Sequence, residues 1–121
     1  MKTLLQLWKA LDYSLQGLRN TFYDEIVFHI ELAVAVILIP AALLLPVSLI
    51  VRILLFESVL LVLIIELLNT SVEATVNRIS TEKHTLSAKA KDAGSAAVLI
   101  ASKNLVVVWG IVLFDLIFNI S

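Results

Sequence analysis

Residues 66–77 read ELLNTSVEATVN and continue an apolar run that begins at Val59. The polar members are Glu66, Asn69, Thr70, Glu73 and Asn77. Spacings of three and four place them in one stripe along a helix. Glu66 and Glu73 are two turns apart, about 10 Å along the axis at a rise of ~1.5 Å per residue. An ionisable side chain in hydrocarbon costs about 2.5–3.5 kcal/mol or more, so two carboxylates on one stripe of an apolar helix point to a functional acidic site. The plainer alternative is a short polar seam buried between packed helices.

The surrounding chain fixes the class. It has 121 residues, of which 60% are hydrophobic, and its mean hydropathy is +1.02. That length suits one domain. A soluble domain of this size could not hide so much apolar surface, which leaves an integral membrane protein. The net charge of −1 excludes a basic nucleic-acid footprint. With no cysteine there are no disulfides or thiolate metal sites.

Upstream, Leu4, Trp8, Leu11, Leu15, Leu18 and Phe22 share one face of a helix, with Lys2, Gln6, Lys9, Gln16 and Arg19 away from it. Lys9 and Asp12 interrupt any signal-peptide core. Residues 1–24 therefore read as an amphipathic helix lying in the membrane interface. Leu32–Val51 carries no charge and reaches the about 20 residues that one span needs. Pro46 marks a helix end and tight turn, and Pro40 is placed to kink the helix. The expected spans are 28–46 and 49–79, then a polar cytoplasmic loop over 80–91 (STEKHTLSAKAK), then a third span over 92–118. Glu57 falls about half-way round the helix from Glu66 and stays outside the acidic stripe. Arg52 is expected to snorkel to the far interface. Ala93, Gly94, Ser95, Ala96 and Ala97 allow close helix packing.

Lys2, Lys9, Arg19, Arg78, Lys83, Lys89 and Lys91 fall on one side of a three-span chain, and only Arg52 falls on the other. The N-terminus and the 80–91 loop are then cytoplasmic and the C-terminus is outside. Glu25, Glu31, Glu66, Glu73, Lys91 and Asp92 gather near the cytoplasmic interface. Carboxylates beside a lysine can hold a divalent cation and a phosphate. Only three glycines are present, so there is neither a P-loop nor a glycine-rich kinase loop. The residues alone lead to a small membrane protein with an acidic and basic interfacial site, for which an ion or proton pathway is also open.

ELLNTSVEATVNRI, the segment AKAKDAGSAAVLIA and YSLQGLRNTFYDEIVFHIE at 13–31 together resemble the small bacterial diacylglycerol kinase family, which includes undecaprenol kinases. The resemblance runs from about residue 9 to 118. Its most specific parts are the E-x-x-N-x-x-x-E core and the following K-D-x-G-S-A-A-V. It implies an all-α integral membrane fold: a surface helix and three transmembrane helices per chain, assembled as a homotrimer in the bacterial inner membrane. It also implies Mg²⁺-dependent transfer of the γ-phosphate of ATP to diacylglycerol, giving phosphatidic acid. Undecaprenol is the rival acceptor, and a non-enzymatic channel or assembly subunit the remote alternative.

Matched residue by residue, the resemblance makes Glu66 the catalytic base and Glu25 and Glu73 the metal-binding glutamates. Lys91 and Asp92 match the pair that contacts ATP. Tyr13, Glu82 and His84 match residues near the nucleotide, with Glu25 and Glu73 also on that side. Asn69 matches an asparagine beside the base, and Ser95 and Glu31 match the lipid-substrate side. Asn77 stands where the family pattern has an aspartate, and Lys83 where an aromatic is usual. Lys103 lies about 16 Å into the third span.

Overall fold

The computed structural model describes residues 2–79, 82 and 84–118. Lys83 lies outside them. Four helices follow in order: α1 (Lys2–Asp24), α2 (Ile26–Leu44), α3 (Leu49–Ile79) and α4 (Thr85–Phe118). There is no strand among the described residues.

α1 and α2 are separated by Glu25 alone, whose extended backbone (φ −115°, ψ 109°) breaks the helix. α1 touches the rest of the chain lightly and buries only Thr21. Its apolar face, including Leu4, Trp8 and Leu11, is exposed in the single chain.

α2 ends where proline chemistry ends it. A residue before proline is pushed out of the helical region, and Leu45 is extended at φ −65°, ψ 144°. Pro40 sits inside the helix. Ser48 then starts α3 as its N-cap, its Oγ accepting the Val51 N–H at 3.3 Å. Arg52 does not snorkel freely. Its Nη1 donates to the carbonyls of Ala42, at 2.8 Å, and Leu43, and its Nη2 to Val47 O at 3.1 Å. The Ala42 and Leu43 carbonyls lie in the last turn of α2 without helical partners, where the partial negative charge attracts a cation, and Val47 follows in the turn.

α3 packs most extensively on α4 and next on α2. The core between them is Ala35, Ala42, Leu55, Val59 and Trp109. Trp109 Nε1 donates to Ser58 Oγ at 3.1 Å, and Ser58 Oγ donates to Leu55 O at 2.7 Å. This buried tryptophan therefore has its polar edge satisfied.

The loop expected over 80–91 is shorter than its composition suggested. Thr85–Lys91 are helical and add nearly two turns to α4. Ala88, Lys89, Ala90 and Lys91 are good helix formers with no proline or glycine among them. His84 opens the helix, its Nδ1 accepting the Leu86 N–H at 3.1 Å. α2 and α4 are long and apolar enough to cross a membrane. α3, at 31 residues, carries Arg52, Glu57, Glu66 and Glu73 along its length.

Candidate acidic site at the α3–α4 interface

The stripe on α3 turns inward. Glu66 and Asn69 are buried, at 6% and 9% exposure. Glu73, one turn on, is half-buried, and Asn77 is exposed. Glu57 is exposed on the other side of the helix. The helical period thus divides α3 into an acidic inner edge and an outer edge.

Three other carboxylates converge on Glu66. Glu31 of α2 lies against it within hydrogen-bonding reach, and Glu73 and Glu25 are close enough to act on it electrostatically. The break at Glu25 brings that side chain to the cluster, because it turns the chain from the surface helix into α2. Asn69 links two members: its Nδ2 donates to Glu73 Oε1 at 3.3 Å. Among the described residues, two buried side-chain polar atoms have no hydrogen-bond partner, Glu31 Oε2 and Asn69 Oδ1. Buried polar atoms are almost always paired, so both atoms have room for a partner from outside the chain, a water or a ligand group.

Beside Glu31 an apolar cleft of about 290 Å³ opens among α2, α3 and α4, lined by Ile30, Val34, Val59, Val62 and Val106. Among the described residues, Glu31 is the only charged one that lines it. The carboxylate cluster and this cleft therefore meet at Glu31, against which Glu66 lies. One side suits a cation or polar headgroup, the other an alkyl chain.

The remaining residues singled out from the sequence stand apart in one chain. Tyr13 is 67% exposed on α1. Lys91, Asp92 and Ser95 are exposed on α4, and Glu82 and His84 are exposed ahead of it. His84 serves as a helix cap here.

Residues 12–113 match the prokaryotic diacylglycerol kinase family. The chain belongs to that family. A diacylglycerol kinase of Haemophilus influenzae is 49% identical over 111 residues, 92% of this chain and 94% of the relative. One of Escherichia coli is 46% identical over 107 residues, 88% of each chain. One of Pseudomonas aeruginosa is 44% identical over 110 residues, 91% of this chain and 89% of the relative. Family membership and the apolar helices make this a bacterial membrane protein with kinase activity.

For a kinase of this family the donor set bears on metal binding. Among the described residues, no three acidic or histidine side chains come together closely enough to hold an ion by themselves. Mg²⁺ needs no such cage, because one or two carboxylates suffice when substrate phosphates and water complete its shell. Glu25 and Glu73, both half-buried and both close enough to Glu66 to act on it electrostatically, are donors of that chemical kind.

Sequence reasoning missed three features. The Arg52 bonds to backbone carbonyls leave no trace in a sequence pattern. The Ser58–Trp109 bond joins residues 51 apart. Gly94 is the third. A Cβ built there would lie 2.3 Å from Asn69 Oδ1, and its only signal was its place in a run of small residues.

Proposed function

We propose that the chain transfers the γ-phosphate of ATP to the hydroxyl of diacylglycerol, giving phosphatidic acid and ADP, with Glu66 as general base. The observation that carries this reading is the position of Glu66, a buried carboxyl in an acidic cluster, against the Glu31 that lines an apolar cleft. The cleft takes acyl chain and leaves the glycerol hydroxyl beside Glu31 and Glu66. Glu66 removes the hydroxyl proton as that oxygen bonds to the γ-phosphorus, and the bond to the β-phosphate oxygen of ADP breaks. A base must come within about 3 Å of its proton. The transfer otherwise depends on positioning and on neutralising charge. Glu25 and Glu73 would hold Mg²⁺, which supplies that neutralisation at the phosphates. Lys91 is a compact positive charge suited to the γ-phosphate. Asp92, Tyr13, Glu82 and His84 complete the nucleotide side, and Asn69 and Ser95 join Glu31 on the lipid side.

We further propose three spans per chain, with the N-terminus and the α3–α4 connection cytoplasmic, and a homotrimer. α3 measures about 46 Å at ~1.5 Å per residue, more than a bilayer core of ~30 Å. One chain leaves Lys91, Asp92, Ser95, Lys103 and Asn104 exposed along α4. Polar groups at such depth are costly in lipid, and neighbouring chains would cover them. Each site would then lie between chains.

The primary test assays purified protein with labelled ATP on diacylglycerol and on undecaprenol. Turnover of diacylglycerol is expected, and strong preference for the polyprenol would overturn the substrate assignment. Removing Mg²⁺ with a chelator should stop turnover reversibly. For the shared site, Glu66→Gln subunits are co-assembled with Glu73→Gln or Lys91→Met subunits. Partial recovery in a mixture supports a composite site. If mixed trimers demonstrably form and all stay inactive, each site is built within one chain.

A further inference from the structure

We infer that Gly94 is a positioning residue: its missing side chain is the mould that holds the Asn69 amide where it can bind Glu73. The inference rests on the reading of Asn69 and Glu73 as site residues, and it names an element of the site on α4 that touches neither nucleotide nor lipid.

A Cβ at position 94 would lie 2.3 Å from Asn69 Oδ1, 3.3 Å from its Cγ and 3.9 Å from its Cβ. The other two glycines, Gly17 and Gly110, have nothing within 4 Å of such a Cβ. The close approach is therefore particular to the level of Asn69. All three neighbouring atoms belong to one side chain, and none to the α3 backbone. The misfit would be relieved by turning the Asn69 amide, not by parting the helices.

That relief falls directly on the site. Asn69 is buried and its Oδ1 has no partner. The bond that orients the amide is Nδ2 to Glu73 Oε1, already long at 3.3 Å. Hydrogen bonds weaken steeply as they lengthen or bend. An ordinary contact would require Oδ1 to move by about 1 Å, and the rigid amide would carry Nδ2 with it. A methyl group at 94 and the Asn69–Glu73 bond thus exclude each other. Glu73 would lose the partner that fixes its carboxylate.

The geometry also supplies its own control. Because Asn69 Cβ is 3.9 Å from the built Cβ, Asn69→Ala and Gly94→Ala can coexist without overlap. The experiment compares Gly94→Ala, Asn69→Ala and the double variant in membranes or micelles. It measures KM for Mg²⁺–ATP, KM for diacylglycerol, kcat and thermal unfolding. Gly94→Ala is expected to unfold within a few degrees of the parent. Its kcat/KM for Mg²⁺–ATP should fall about tenfold or more, and any change in KM for diacylglycerol should match that of Asn69→Ala. The double variant should be no worse than Asn69→Ala, within about twofold, because both changes remove the same interaction. Activity of Gly94→Ala within about twofold of the parent, while Asn69→Ala is impaired, would overturn the inference alone. So would losses that multiply in the double variant, which would mean that Gly94 acts independently of Asn69. Should Gly94→Ala fail to assemble, the double variant decides: restored assembly supports the mould, and continued failure overturns it. Unchanged activity of Asn69→Ala would overturn the reading of Asn69 itself, and the inference with it.

Discussion

The two ends of the helix bundle treat buried polar groups in opposite ways. At the α2–α3 turn, Arg52 reaches three backbone carbonyls, and the Trp109 edge is satisfied through Ser58 and Leu55. At the other end four carboxylates converge, and Glu31 Oε2 and Asn69 Oδ1 have no partner. The same three helices build both ends from similar apolar residues. The difference teaches which end is optimised for its own stability and which is left to be completed by something that binds.

The contrast can be broken most sharply at Glu66. Glu66→Gln should lower kcat by about 10²–10⁴-fold, the usual worth of a positioned base, while thermal unfolding stays near that of the parent. Substantial kcat in that variant would remove Glu66 from the role of base. At the other end Trp109→Ala should destabilise the chain by about 3–5 kcal/mol, through the cavity and the loss of the hydrogen bond that Ser58 Oγ accepts. Denaturant unfolding measures that loss. Arg52→Met should cost about 1.5–3 kcal/mol, as expected for a charged donor removed from carbonyls, and should speed amide exchange near Leu45. Glu57→Gln should change stability by less than about 0.5 kcal/mol and leave turnover unaltered, because Glu57 is exposed away from the stripe. A large effect there would mean that the inner and outer edges of α3 are wrongly divided.

Much of this arrangement was legible in the sequence because it is carried by local rules. The three-and-four spacing of Glu66, Asn69 and Glu73 is enough to place them on one edge of α3. Pro46 and Ser48 carry the turn between them, one by backbone restriction and the other by its hydroxyl. The amphipathic face of α1 is similarly local. The start of α4 was not legible, since polar composition suggested a loop over 80–91 and a histidine is not among the usual helix caps. The encounter of Glu31 with Glu66 depends on how α2 and α3 cross, which no spacing within one helix specifies. The Asn69–Gly94 approach is tertiary in the same sense. Tyr13, Lys91, Asp92 and Ser95 are exposed in a single chain, so the fold of one protomer does not gather them with the acidic cluster.

The Arg52 bonds bear on how such a chain is made. They reach back ten residues at most, so nothing from α4 is needed to form them. A nascent chain that has emerged only through α3 already contains both the guanidinium and the carbonyls that bind it. The turn can therefore close during synthesis, and the one cation at that end travels with its partners attached. In the three-span arrangement proposed above, α2 and α3 would enter the membrane as a hairpin with its tip already sealed, before α4 has left the ribosome.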